Sequence, residues 1–167
     1  MSLFTAALLG VLLLIAAWRD IATRTIPDIA GLLVAILGFA MRLTEGIGAA
    51  ALSLGLAAGM VLLMLPLHAR GVIGGGDVKL GAALLVGLSP LTGYRFVVAT
   101  ALAGGLLALL YLALSRLLPE RPASAGGMVL RRVIRVEGWR IRRHGPLPYG
   151  VAIALGWCAA VIQAGEG

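Results

Sequence analysis

Long apolar runs occupy most of this 167-residue chain, and they limit the folds that it can adopt. The runs cover residues 3–18, 29–41, 47–67, 80–118 and 147–162, and a Ser89-Pro90 break divides the fourth into two. A membrane-crossing helix needs about 20 apolar residues, so the chain has room for about six crossings. The alternating polarity and aromatic girdles of an outer-membrane β-barrel are not visible in the sequence. We therefore expect an all-α, polytopic membrane protein with about six transmembrane helices, of which the second and fourth are shorter than a full crossing.

The charged residues predict how this bundle is oriented. They make up only 13% of the sequence, against an average of about 25% in soluble domains. The net charge of +7 would suggest a nucleic-acid partner in a soluble protein, but cytoplasmic loops of membrane proteins also collect Lys and Arg. Twelve of the fourteen cations follow the first, third and fifth predicted helices, and only Arg42 and Arg95 fall on the other side. We therefore expect cytoplasmic basic loops, both termini outside, and no nucleic-acid partner.

The seven acidic residues fall into two groups. Glu45, Glu120, Glu137 and Glu166 lie in predicted loops or the tail, and we expect them to be solvated. Asp20, Asp28 and Asp77 lie at the cytoplasmic ends of the first, second and fourth helices. Counting back about 20 residues from the Ser89-Pro90 turn places Asp77 within the membrane thickness. Ionisable groups at that depth are costly and usually functional.

Asp20 and Asp77 are candidates for a paired acid–base site because both are expected near the same membrane face. Two carboxylates that lie close together share a proton and titrate as a pair. The ionised member can take a proton from water while the protonated member polarises a peptide carbonyl, which suits peptide hydrolysis. The alternative is structural: Asp20 pairs with Arg19 or Arg24, and Asp77 pairs with Lys79.

The glycines that precede Asp77 have a physical interpretation of their own. Gly74, Gly75 and Gly76 carry no Cβ, so an extended substrate backbone can approach the carboxylates and the chain can adopt unusual dihedral angles. A phosphate-binding loop would need Gly-Lys-Ser/Thr, which is absent. The single cysteine, Cys158, can form neither an internal disulfide nor a Cys-x-x-Cys site, and we expect no metal or cofactor.

Three motifs resemble a known family. Gly74-x-Gly76-Asp77 is similar to the G-x-G-D motif of intramembrane aspartic proteases. The stretch from Asp20 to Ile26-Pro27-Asp28 resembles the first catalytic segment of type IV prepilin peptidases, an Asp followed six or seven residues later by Ile/Leu-Pro-Asn. The stretch 146–150, Pro-Leu-Pro-Tyr-Gly, resembles the Pro-Tyr/Phe-Gly element that opens the last helix of that family.

The resemblance implies an aspartic endopeptidase that removes the leader of type IV pilin-like precursors at the cytoplasmic face of the bacterial inner membrane. It makes Asp20 and Asp77 the catalytic pair. Candidate substrate-binding residues are Gly74, Gly76, Lys79, Pro148 and Tyr149, with Lys79 also placed to modulate the charge of Asp77. The chain resembles the short, tight-adherence (Flp) form, a single peptidase domain over 1–167 without the cysteine-rich domain of the longer members.

Two points stay open at the level of sequence. Asp28 stands where the family usually has Asn, and we expect it to cap the second helix by accepting backbone N–H bonds. The alternative functions are an intramembrane aspartic protease of another kind and, outside enzymes, a small transporter or an assembly subunit of a pilus or secretion system. The non-enzymatic proteins would use Asp77 as a proton or ion site.

Overall fold

The structure is a computed structural model that describes residues 3–25, 27–71, 73–117, 136–141 and 147–165. These residues form helices joined by short turns, with no strand among them. The helices are α1 (Leu3–Thr23), α2 (Asp28–Thr44), α3 (Ile47–Ala69), α4 (Gly75–Val86), α5 (Pro90–Leu117), α6 (residues 136–141) and α7 (Tyr149–Gly165). The prediction of an all-α chain is confirmed. Most of the basic loop between α5 and α7 lies outside the described residues.

Three helices are long and apolar enough to cross a membrane, at Thr5–Thr23, Ile47–Ala69 and Pro90–Arg116. Helix α7 is apolar but shorter. Helix α4 has 12 residues, or about 18 Å at 1.5 Å per residue, against a hydrocarbon core of about 30 Å. The helices occur where the apolar runs predict them, and these three identify a membrane-capable protein. Six crossings and the orientation of the termini remain predictions.

The break between α4 and α5 follows from its residues. Ser89 precedes Pro90, which is the first residue of α5, a position where the missing N–H of proline costs no hydrogen bond. The Ser89 hydroxyl accepts the backbone N–H of Thr92 at 3.3 Å, as expected for a serine that caps a helix N-terminus. The predicted split of the long apolar run at this point is confirmed.

Small residues allow the helices to approach closely, as is common in membrane bundles. A Cβ on Gly38 of α2 would lie 2.8 Å from Gly87 Cα, so these backbones touch beside the end of α4. A Cβ on Gly156 of α7 would lie 2.1 Å from Thr100 Oγ1 of α5. Larger apolar side chains fill the core between these contacts, among them Leu13, Leu80, Phe96 and Trp157.

Arg42, predicted on the outer side, is buried at the end of α2 that lies away from Asp28. Its Nε donates to Ser53 Oγ at 2.9 Å, and its Nη1 pairs with Glu45. The Ser53 hydroxyl lies 3.0 Å from the Leu88 carbonyl oxygen, to which it donates. This network joins α2, α3 and the turn after α4 through satisfied polar groups, which fixes one end of the bundle.

Candidate active site

Asp20 lies in the last turn of α1 and is buried, with 6% of its surface exposed. Its Oδ2 accepts the backbone N–H of Gly150 at 2.8 Å. Gly150 is the second residue of α7, and the first N–H groups of a helix have no acceptor within the helix. A Cβ on Gly150 would lie 3.0 Å from both Cβ and Oδ2 of Asp20. The glycine therefore lets the start of α7 close onto the carboxylate.

Asp77 is the third residue of α4, in the first turn of the helix, and its carboxylate lies against Gly74, the residue that precedes the helix. An acidic side chain in the first turn complements the partial positive charge of a helix N-terminus. A Cβ on Gly74 would lie 2.7 Å from Asp77 Oδ2. Gly74 itself has φ −66°, which any residue adopts. It is required here to make room for the carboxylate, and no unusual dihedral angle is involved.

The two carboxylates come together at one end of the bundle, although they lie on different helices. Asp77 and Asp20 are within electrostatic range of each other, and Arg24 is within range of both. The second oxygen of Asp77, Oδ1, is buried and has no hydrogen-bond partner in the described part of the chain. The site therefore holds an acceptor that the described protein atoms leave free.

Arg24 follows the end of α1 in a left-handed conformation, φ 56°. That conformation costs a non-glycine residue roughly 1–2 kcal/mol. Its backbone N–H donates to the Asp20 carbonyl oxygen at 2.9 Å, and its Nη2 pairs with Glu137 Oε1 of α6. The turn thus keeps the guanidinium beside the end of the helix that carries Asp20.

Glu137 is buried at the centre of this group, so the expectation that it is solvated is wrong. Besides Arg24, it accepts the hydroxyl of Tyr111 on α5 and, at 3.3 Å, Arg140 Nη1 of its own helix. Arg140 Nη1 also donates to the Ile21 carbonyl oxygen at 2.9 Å, which ties α6 to α1. Opposite charges and hydrogen bonds offset the cost of burying this carboxylate.

Asp28 and Lys79 form a pair of their own. Lys79 Nζ donates to Asp28 Oδ1 at 2.8 Å, and both side chains are mostly exposed. The N-cap of α2 is Pro27, and Asp28 is the first helical residue, so the predicted capping role of Asp28 is wrong. The structural alternative, in which Lys79 pairs with Asp77, is not found, because the Lys79 ammonium donates to Asp28.

Helix α4 separates two cavities, and three of the five predicted substrate-binding residues line them, whereas Gly74 and Pro148 line neither. A cavity of about 340 Å³ is lined by Asp77 and Tyr149, with apolar side chains from α3, α5 and α7. A wider groove of about 820 Å³ on the other face of α4 is lined by Gly76, Lys79 and Asp28.

The Pro-Tyr-Gly element contributes unequally to these surfaces. Pro148 is fully buried, so it shapes the start of α7 and offers no surface to a substrate. The Tyr149 ring packs against Gly104 of α5, where a Cβ would lie 3.3 Å away. Of the two side chains, only Tyr149 reaches the cavity that contains Asp77. Among the described residues, no group of three or more His, Cys, Asp and Glu side chains could hold a metal ion.

The structure adds residues that the sequence interpretation did not assign to the site. Gly150 belongs to the Pro-Tyr-Gly motif, but the motif alone does not indicate that the Gly150 N–H binds Asp20. Arg24 was considered only as a partner for Asp20, whereas it pairs with Glu137. Nothing in the sequence near Glu137 or Tyr111 distinguishes them from a loop acid and a helix tyrosine.

Comparison with known proteins identifies the family of this chain. The sequence profile of the type IV leader peptidase family matches residues 7–112, which include Asp20 and Asp77. The match ends before α6 and α7, and thus before Glu137 and Gly150. No curated protein and no solved structure matches the chain. The profile covers well over half of the sequence, and the chain therefore belongs to the type IV leader peptidase family.

Proposed function

We propose that this family member is an aspartic endopeptidase that removes the leader of type IV pilin-like precursors. The observation that carries the proposal is the convergence of Asp20 and Asp77, from two helices, at one end of the bundle. We place the reaction at the cytoplasmic face of the bacterial inner membrane, where the basic loops are predicted to lie. The protein acts as one membrane-embedded peptidase domain, and its partners are the precursor and the lipid bilayer.

The proposed mechanism uses the two carboxylates as an acid–base pair. The ionised one removes a proton from a water molecule, and the resulting hydroxide attacks the scissile carbonyl carbon. The protonated one donates its proton to the carbonyl oxygen, which forms a neutral gem-diol. Collapse of this intermediate breaks the C–N bond, and the nitrogen of the new N-terminus takes up the proton that came from water. No group beyond the two carboxylates and water is needed to balance the step.

The geometry supports this division of roles. Each carboxylate lies at a helix N-terminus: Asp20 accepts the backbone N–H of Gly150 at 2.8 Å, and Asp77 occupies the first turn of α4. Such contacts orient a carboxylate and complement its charge. Asp77 Oδ1 has no protein partner in the described residues, so it is the oxygen best placed to receive a proton from water. The cavity of about 340 Å³ beside Asp77 is lined mostly by apolar side chains, which suits an apolar part of a substrate.

Leader cleavage in cells tests the proposal directly. The protein is co-expressed with a pilin-like precursor, and removal of the leader is followed as a mobility shift on a gel. Asp20→Asn and Asp77→Asn are expected to abolish cleavage, because an amide cannot take the proton. Asp28→Asn is the matched control, since Asp28 is exposed and paired with Lys79. It is expected to cleave as the wild type does.

The result separates the enzyme from the non-enzymatic alternative. Equal membrane levels of all variants are verified by immunoblot. If both Asp20→Asn and Asp77→Asn still cleave, the acid–base mechanism is wrong. If the wild type cleaves no pilin-like precursor, the result favours the alternative function as a transporter or assembly subunit. In that case Asp77→Asn should abolish proton or ion movement.

A further inference from the structure

The guanidinium of Arg24 carries hydrogen-bond donors that the described protein atoms do not use. Its Nη2 pairs with Glu137, but Nε and Nη1 are buried and have no acceptor in the part of the chain that the structure describes. Only 13% of the side chain is exposed. Leaving a buried donor of a charged group without an acceptor costs about 1–3 kcal/mol or more. A folded enzyme tolerates that cost where the donors serve a ligand.

The surroundings of Arg24 hold it in place at that position. Its pair with Glu137 is supported by Tyr111 and Arg140, which both donate to the same carboxylate. The left-handed backbone at residue 24 ends α1 at Thr23. Helices α1, α5 and α6 therefore all contribute to the orientation of one guanidinium. A helix can end without side-chain contacts of this kind from two other helices.

The free groups around the two aspartates complement a peptide backbone. Arg24 offers buried N–H donors one helical turn beyond Asp20. A peptide backbone carries C=O acceptors and N–H donors. A guanidinium repels cationic side chains, whereas a backbone carbonyl oxygen accepts its N–H groups. A backbone carbonyl is thus the acceptor that fits both the charge and the donors.

We propose that Arg24 is a substrate-binding residue that donates to a backbone carbonyl of the precursor near its cleavage site, and that Glu137 is the positioning residue that holds it. This inference rests on the proposed peptidase function and deepens it. It assigns a binding role to a residue next to the proposed catalytic pair and a positioning role to Glu137, a buried residue of α6. The acceptor is one of the carbonyl oxygens flanking the scissile bond, because Arg24 lies one helical turn beyond Asp20, to whose carbonyl oxygen its backbone N–H donates at 2.9 Å.

The test combines an enzyme variant with an altered substrate. Synthetic precursor peptides that span the cleavage site carry a single thioamide at successive positions, since sulfur is a weaker hydrogen-bond acceptor than oxygen. Full-length enzyme in detergent or nanodiscs cleaves each peptide, and kcat/KM is measured. Arg24→Lys keeps the positive charge and the same backbone cost at φ 56°, but it loses the planar set of N–H donors. Arg19→Lys, at an exposed position in the last turns of α1, is the matched control.

The expected result is a specific coupling between residue and substrate position. Arg24→Lys lowers kcat/KM for the normal peptide roughly 10- to 100-fold, the value of a hydrogen bond to a charged group. One thioamide position lowers kcat/KM for the wild type and for Arg19→Lys, but has little further effect on Arg24→Lys. Such non-additivity identifies a direct interaction. Glu137→Gln removes the charge that holds Arg24. We expect the kcat/KM of this variant to be insensitive to the same thioamide position.

Two outcomes would overturn the inference while leaving the peptidase proposal intact. One is an Arg24→Lys enzyme that cleaves as fast as the wild type. The other is a slow Arg24→Lys enzyme that stays as sensitive as the wild type at every thioamide position, which would assign Arg24 a structural or purely electrostatic role. A wild type that cleaves no precursor would instead refute the proposed function. Thermal unfolding of each variant in detergent distinguishes a loss of binding from a loss of fold.

Discussion

Three glycines of α7 allow the contact between Gly150 and Asp20 to be tested within one helix. Replacing Gly150 by Ala places a Cβ 3.0 Å from Asp20 Oδ2, a few tenths of an ångström closer than an ordinary contact. The carboxylate or the start of α7 must shift by that amount. Since misplacement of catalytic groups by 1 Å can cost about 100-fold in rate, we expect kcat to fall about tenfold.

The stability of this variant should change little, because alanine is favoured over glycine in helices by up to about 1 kcal/mol. Gly156→Ala, by contrast, should lower the stability. Its Cβ would lie 2.1 Å from Thr100 Oγ1 and 2.7 Å from the Thr100 backbone N, so α5 and α7 must separate. Overpacking of this kind costs about 1–3 kcal/mol, and we expect a lower unfolding temperature. Gly165→Ala meets no atom within 4 Å and should resemble the wild type in both respects.

The assay measures leader cleavage and thermal unfolding of the three purified variants in the same detergent. The reasoning predicts a slow but stable Gly150→Ala, an unstable Gly156→Ala and an unchanged Gly165→Ala. Wild-type kcat in Gly150→Ala would refute the argument that the start of α7 fixes the Asp20 carboxylate. Equal loss of stability in Gly150→Ala and Gly156→Ala would show that the first contact is only a packing contact.

Other contacts give further predictions. Lys79→Ala removes an exposed ion pair with Asp28, so stability should change by less than about 1 kcal/mol and cleavage by less than about twofold, as measured by unfolding and gel assay. Ser53→Ala leaves the buried Arg42 without one of its acceptors and should destabilise the protein by about 1–3 kcal/mol in thermal unfolding. Gly38→Ala would place a Cβ 2.8 Å from the Cα of Gly87, the C-cap residue of α4. It should lower the unfolding temperature, while the folded enzyme keeps the wild-type kcat.

The parts of the fold that sequence analysis predicted are those governed by local chemistry. Apolar runs mark the helices because a segment that crosses lipid must satisfy its own backbone polar groups. Ser89 and Pro90 mark the break between α4 and α5 because capping and the missing N–H of proline act within one turn. Asp20 and Asp77 were expected on the same face from helix count alone, and the structure brings them together.

The parts that sequence analysis missed depend on contacts between distant segments. Glu137 meets Arg24 across 113 positions, and Gly150 meets Asp20 across 130. A glutamate among arginines has the composition of a solvated loop, and its burial follows only from the way α6 packs. Asp28 shows the converse error, because a position typical of a capping residue is overridden by a lysine that α4 brings within reach.

Both aspartate carboxylates lie at helix N-termini, and this position explains why each has a glycine as its neighbour. Each carboxylate lies at the N-terminus of a helix, Asp77 at that of its own helix α4 and Asp20 at that of α7. Two negative charges in a low-dielectric site repel each other, and the partial positive charge of a helix N-terminus offsets part of that repulsion. A Cβ on Gly74 would lie 2.7 Å from Asp77 Oδ2, and a Cβ on Gly150 would lie 3.0 Å from Asp20 Oδ2. Either Cβ would displace the carboxylate from its helix N-terminus. In this arrangement the glycines serve the enzyme's own acidic groups, and the substrate is left to approach the site through Asp77 Oδ1 and the Arg24 donors, which remain free.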